Sequence, residues 1–244
     1  MVPRILGEQN EFAAYRPLSA AVVASVMEQG YMPMGMPGGP SEVFLVKCHR
    51  RRSVVDPTHL EVSKSTVRAS RGLILRCNQR VSETIAAVAE CHHDSWITPA
   101  LSEVFAHLSA PRLGRPRVHG ITLNDGATGE LVAAEIGYQV GRVYTSLSGC
   151  FWRSGAGTVQ MVALAGVLAR AGYALWDLGM DMPYKRSLGA REVPRAEFLA
   201  RYRRDGREAD TMPALPGSDH AQSAEELVRT MRGNAVERRR ASRG

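Results

Sequence analysis

The 244-residue chain lacks most of the signatures from which a function is usually read. Its four cysteines, Cys48, Cys77, Cys91 and Cys150, stand far apart with no C-x-x-C pair, so neither a zinc ribbon nor a regular disulfide framework is indicated. Reduced thiols in a cytosolic setting are expected. His92 and His93 follow Cys91, but adjacent histidines rarely face one ion from a helix, and structural zinc needs four convergent ligands, so no metal is expected. No stretch approaches the roughly 20 consecutive apolar residues of a membrane span, and the opening MVPRILGEQNEF lacks the apolar core of a secretory signal. A cytoplasmic protein with no membrane partner is the expectation. No Ser-His-Asp order, Cys-His pair or P-loop is present, which leaves covalent catalysis and phosphoryl transfer without support. There is no internal repeat.

What is present is an ample apolar fraction, 44%, enough for a sizeable core in one large domain or two smaller ones. The charge is unevenly placed. Thirty-one Lys+Arg against 24 Asp+Glu leave a net +7. Between Lys47 and Arg80, nine basic residues meet only Asp56 and Glu61, so this one segment carries an excess equal to that of the whole chain. A charge so confined marks one polyanion-facing patch. The plainer alternative is a solvated surface.

The order of elements suggests an α+β protein. Leu18 to Gln29 has a helical pattern stopped by Gly30. Met32 to Pro40, rich in Pro and Gly, is expected to be a loop before the strand-like run Glu42 to Val46. After the basic segment, Gly72 to Cys77 reads as a strand, Ser82 to His92 as a helix, and Thr98-Pro99 as the cap and first position of another helix reaching Leu108. Pro111 to Pro116 reads as a linker. Val118 to Leu123, the turn Asn124-Asp125-Gly126, Leu131 to Gly141 and Arg142 to Ser148 predict three antiparallel strands. Met161, Leu164, Ala165 and Leu168 then fall at helical spacing, Gly172 stops that helix, and Tyr173 to Asp177 returns as a buried strand. Strand, helix, strand is a crossover unit. Arg195 to Arg204 is the last clear helix. The stretch 205–244, with a short helical pattern at Ala224 to Met231 and an arginine-rich end, reads as a mobile tail.

Two local features bear on chemistry. Arg153-Ser154-Gly155-Ala156-Gly157-Thr158 lies where a glycine-bearing turn opens a helix, and its N–H groups can hold a pyrophosphate or a nucleic-acid phosphate; an ordinary bend fits equally well. Asp177 ends an otherwise apolar strand, a place where open sheets present catalytic groups. It can orient or deprotonate an amine whose own pKa is about 7.7 to 8.0. Capping the following turn is the plainer alternative.

Ser95-Trp96-Ile97-Thr98, Leu131-Val132, Gly137, Gly141, Ser148, Asp177, Ser187-Leu188-Gly189-Ala190 and Val193-Pro194-Arg195 together resemble the leucyl/phenylalanyl-tRNA–protein transferase family. The likeness runs from about Gly30 to Tyr202 and needs no gap from Leu131 to Arg195. It implies a small N-terminal domain (1–71, with the basic segment), a GNAT-like aminoacyltransferase domain (72–204) and the tail (205–244). It implies transfer of an amino acid, Leu or Phe by family, from charged tRNA to the N-terminal amine of a protein beginning with Arg or Lys, in the N-degron pathway of protein degradation. No cofactor is implied, and a monomer is expected. By the same resemblance Asp177 is the catalytic acid, and Trp96, Glu135, Leu147, Ser148, Gly149, Met161, Leu164, Leu168 and Gly179 surround the substrate. Four of these depart from the family's residues: Leu147 replaces its Glu, Gly179 its Gln, and Gly149 a Met, while Glu135 stands where a pocket Met is usual. The tRNA-facing basic residues are Arg50, Arg51, Arg52, Lys64, Arg68 and Arg71, the last three spaced to line one helical face. Two other readings stay open: a CoA-dependent N-acyltransferase using the Arg153 to Thr158 turn, and a tRNA-binding relative without turnover.

Overall fold

The computed structural model describes residues 10–93, 95–110, 116–207, 213–217 and 220–242. Along the chain run β1 (Phe12–Tyr15), α1 (Ala20–Glu28), β2 (Met32–Gly35), β3 (Phe44–Lys47), β4 (Arg51–Val55), α2 (Lys64–Ala69), β5 (Leu73–Cys77), α3 (Val81–Glu90) and α4 (Pro99–Ser109). There follow β6 (Arg117–Asp125), β7 (Leu131–Val140), β8 (Val143–Phe151), α5 (Ala156–Ala171), β9 (Leu175–Gly179), α6 (Pro183–Ser187), β10 (Arg191–Pro194), α7 (Arg195–Arg207), β11 (Ala221–Ser223) and α8 (Ala224–Ala241). The fold is α+β, as expected. The linker expected at Pro111–Pro116 lies outside the described residues apart from Pro116, as does most of the opening segment.

The strands form a three-stranded sheet, β1-β3-β2, and an eight-stranded one, β10-β4-β9-β8-β7-β6-β5-β11. The expected meander is β6, β7 and β8, paired antiparallel. The expected crossover is β8–α5–β9, and β8 with β9 is the one parallel pair among the described strands. Alternation along the strands divides the core into two layers. Ala133, Tyr144, Trp176 and Leu178 face α5. Ala134, Ile136, Val143 and Leu175 face the opposite layer, which contains α1, α3, α4 and α7 residues such as Val26, Ile85, Phe105 and Phe198. Thr98 caps α4 as predicted, its hydroxyl accepting from the Leu101 N–H at 3.4 Å.

Four features differ from the sequence expectations. Met32–Gly35 is a strand, not a loop; Pro33 is tolerated because β2 is the edge of its sheet and needs no outward ladder bond. Arg51–Val55, inside the range expected for the small domain, is a strand of the large sheet between β10 and β9. Residues 221–241 of the expected tail form regular structure. β11 pairs with β5, and α8 buries Leu227, Val228, Met231 and Ala235. Gly166 of α5 permits this approach, since a Cβ there would meet Leu227 Cδ2 at 3.2 Å. Finally, Cys91 and Cys150 form a disulfide joining the end of α3 to β8, where reduced thiols were expected; Cys48 and Cys77 are free and buried. Their 59-residue separation hid a proximity that only the packing of α3 on the meander creates.

Candidate active site

The cavity originates in strand geometry. β8 and β9 pair only over Val143–Thr145 with Leu175–Asp177. Beyond that point β9 stays paired with β4 as far as Gly179, while β8 stays with β7 across an irregularity at Ile136/Gly137. Between the diverging strands and the start of α5 lies a cavity of about 470 Å³. Its walls include Ser146 to Phe151 of β8, Gly157, Thr158, Gln160 and Met161 of α5, Leu178 of β9, and Tyr184 and Lys185 of α6. The rings of Phe151 and Tyr184 are exposed.

Glu135 from β7 is the cavity's buried acid. Tyr144 Oη and Ser146 Oγ both donate to its Oε1, at 3.2 and 2.7 Å. Trp176 Nε1 in turn donates to Ser146 Oγ at 2.9 Å, fixing the hydroxyl's direction. Among the described residues no donor reaches Oε2, which is not sealed in, on the wall of the cavity. Gly137 permits the arrangement: a Cβ there would strike the Tyr144 hydroxyl. Burial pushes the Glu135 carboxyl up to about 7, although the Ser146 and Tyr144 hydroxyls and the charge of Lys185 pull the other way. Lys185 Nζ donates to the carbonyls of Leu178 and Met180 at 2.6 and 2.8 Å, and burial lowers its pKa. Gln160 is 3% exposed and its Oε1 has no donor.

Of the residues expected at the substrate, the cavity gathers Glu135, Leu147, Ser148, Gly149 and Met161. Ser148 also contacts His92 Nε2 at 3.3 Å. Leu164 and Leu168 are fully buried core beneath α5. Trp96 packs edge-on against Phe105 at 6.3 Å, and its carbonyl accepts from Gly35 N–H at 2.8 Å. Neither Trp96 nor Gly179 lines the cavity. Tyr144, Ser146, Gln160, Leu178, Tyr184 and Lys185 were missed, and Thr158 was expected only as part of the anion-binding turn. For Tyr144 and Ser146 a signal existed: they lie two apart on one strand and hence share a face.

Asp177 is fully buried and faces the layer opposite the cavity. Arg52 Nε donates to its Oδ1 at 3.1 Å, Arg52 Nη2 donates to Oδ2, and the Gly179 N–H adds a bond to Oδ1 at 2.9 Å. Both carboxylate oxygens are thus engaged. Arg52 therefore corrects an expectation too. It is 1% exposed, lies over the Phe198 ring at 5.0 Å and is closed to RNA, because strand alternation turns it inward to the one acid that can neutralise it. Burial acts to lower its pKa, but the Asp177 charge raises it above the usual arginine value. Arg50 and Arg51 are exposed near Glu11 and Glu192. Lys64, Arg68 and Arg71 are exposed, the first two on α2 and Arg71 just past its cap Ser70, so the single helical face expected for all three ends one residue too early.

A meander and a crossover enclosing a cavity at diverging strands define an α+β protein with a ligand-sized site. Residues 54–203 match the model of the family described as leucyl/phenylalanyl-tRNA protein transferase, and the chain belongs to that family. Its members are aminoacyltransferases. A leucyl/phenylalanyl-tRNA–protein transferase of Aromatoleum aromaticum is 34% identical over 61% of this chain and 62% of its own length. One of Rubrobacter xylanophilus is 30% identical over 75% of this chain and 93% of its own. Among solved structures, the C-terminal domain of a putative lysylphosphatidylglycerol synthetase of Agrobacterium fabrum overlaps with a TM-score of 0.35 at 14% identity, covering 89% of this chain and 64% of that one. That overlap is too loose to bear on function. Among the described residues, no helix is long and apolar enough to cross a membrane.

Proposed function

We propose that the protein moves an amino acid from the 3′ end of a charged tRNA to the N-terminal amine of an acceptor protein, within the cavity between β8, β9 and α5. The observation that carries this reading is the Glu135 carboxylate: it faces a cavity sized for a small ligand, in a member of an aminoacyltransferase family, with a pKa near 7. The reaction is aminolysis of an ester. The amine nitrogen attacks the ester carbonyl, the C–O bond to the ribose breaks, and the proton lost by the amine must reach the departing 3′ oxygen. An α-amino group titrates at about 7.7 to 8.0, so a carboxylate near 7 is matched to accept that proton and return it. Much of the remaining acceleration comes from holding ester and amine together.

In this reading Phe151 and Tyr184 offer ring faces for the terminal nucleobase, while Leu147, Ser148, Gly149 and Met161 contact the aminoacyl group. Asp177, expected to be catalytic, becomes a positioning residue: with Arg52 and Gly179 it holds the end of β9, from which Leu178 reaches the cavity. Lys64, Arg68 and Arg71 grip tRNA phosphates. An acceptor beginning with Arg or Lys, a monomeric enzyme and a cytoplasmic location, where charged tRNA is made and used, complete the proposal. The CoA reading keeps only the backbone N–H groups of the Arg153–Thr158 turn, because the Arg153 side chain is committed to Asp125 and Glu130, each at 2.9 Å.

The test is transfer of labelled leucine or phenylalanine from charged tRNA to peptides beginning with Arg, Lys or Ala. Label on the Arg and Lys peptides is expected. Retained tRNA affinity with no transfer to any amine would establish a binding protein without turnover.

A further inference from the structure

The C-terminal helix α8 lies outside the family-matched segment 54–203 and its charge is unused by the site above. Its apolar side covers α5, and its other side borders α2, leaving a groove of about 420 Å³. The groove is lined by Lys64, Arg229, Arg232 and Arg240 against a single acid, Glu237. Lys64 and Arg240 have no ion-pair partner among the described residues, and Arg229 is paired only within its own helix, to Glu225. Arg232 donates one N–H to the Val62 carbonyl at 2.6 Å, which fixes its guanidinium at the groove wall and leaves other donors free. Arg238 likewise bonds the carbonyls of Thr58 and Leu60, locking the end of α8 onto the domain.

α2, which forms one wall of this groove, also packs against α5, the helix whose start lines the cavity. Ala69, at the end of α2, lies 4.0 Å from the Cβ position at Gly155, where α5 begins, and Gly157, Thr158 and Met161 of that same helix start line the cavity. A strand of phosphates leaving the cavity passes over Arg68 and Lys64 of α2 and then meets α8, which is about 27 Å long. We infer that α8 is an RNA-binding extension, and that Arg229, Arg232 and Arg240 with Lys64 form a second phosphate track for the tRNA whose 3′ end occupies the cavity. The inference rests on the aminoacyl-tRNA reading of the cavity. Four cations facing one carboxylate on a helix locked in place suit a polyphosphate backbone and have no use for an apolar or cationic partner.

The experiment uses the full chain and two ligands: uncharged tRNA, measured at graded salt, and phosphatidylglycerol vesicles. Two variants are compared, R229Q/R240Q on α8 and K64Q/R68Q on α2. Glutamine preserves helix propensity, and unchanged thermal midpoints exclude misfolding. R229Q/R240Q is expected to weaken tRNA binding on the order of tenfold and to flatten the plot of log affinity against log salt by about 1.8, at roughly 0.9 per lost phosphate contact. If K64Q/R68Q weakens binding and R229Q/R240Q changes neither affinity nor slope, the α8 track is wrong and the cavity reading stands. If neither variant matters, tRNA is not held on this surface and both readings fall. If R229Q/R240Q loses vesicle binding but keeps tRNA, the groove serves a membrane and the inference is overturned.

Discussion

The large sheet carries two buried carboxylates on opposite faces, and their surroundings could hardly differ more. Asp177 meets a guanidinium squarely and a backbone N–H besides. Glu135 meets only two hydroxyls on one oxygen, with the other left to the cavity. Burial is nearly complete for both; what separates them is whether the protein supplies a full opposite charge. Where it does, the acid is structural and fixed. Where it supplies only hydroxyls, the carboxyl is held near neutrality and can exchange a proton. In the proposed reading, this contrast separates Asp177, a positioning residue, from Glu135, the proton acceptor.

The sharpest way to break this contrast is to remove one member of the Arg52–Asp177 pair. Asp177→Ala or Arg52→Ala is expected to cost about 3–5 kcal/mol in urea unfolding, because an uncompensated charge stays buried. Replacing both, as R52M/D177L, should recover most of that loss. A D177A enzyme that keeps its stability but loses transfer would return Asp177 to a catalytic role.

Glu135→Gln should do the reverse. It is expected to lower transfer on the order of 10²–10⁴-fold and to erase the rise of activity with pH through about 7, while the fold survives. Stability itself adds a third expectation. Because the folded pKa of Glu135 is raised from 4.5 to about 7, the folded state holds a proton that the unfolded chain has released. Stability from this group is therefore present below pH 4.5 and declines as pH rises to about 7, a loss of about 3 kcal/mol. Urea midpoints at pH 5 and pH 8 should show this decline in the parent and not in E135Q. The smallest effect is expected from Thr98→Ala, which removes the α4 cap on the Asp177 face and should cost about 1 kcal/mol with transfer unchanged. A loss of activity there would couple the two faces.

Much of the architecture was legible, because the elements that announce themselves are buried on one side and repeat. The β6–β7–β8 meander, α5 with its stop at Gly172 and the return as β9 follow from alternation and helical spacing. β4 was illegible for a physical reason. Arg51-Arg52-Ser53 reads as a charged surface, and only the partner at Asp177, 125 positions away, makes an inward arginine tolerable. α8 was underestimated since its polar residues outnumber its apolar ones; its order comes from α5, whose outer side needs cover. At the site, the resemblance led to the β8 wall, but the hydrogen bonds that tune Glu135 join Tyr144, Ser146 and Trp176 across strands, a relation no local pattern encodes.

The placement of β4 also sets a schedule for synthesis. The ribosome releases Arg51–Val55 early, yet this strand's neighbours are β9 and β10, the latter ending at Pro194. At roughly 5–20 residues per second, the 125 residues between Arg52 and Asp177 take about 6–25 s to make. During that interval a β-prone segment with both edges unpaired and an arginine destined for the core must wait in solution. The nascent chain thus cannot close its sheet from the N-terminus, and β4, second from one edge of that sheet, stays unpaired until β9 and β10 have emerged.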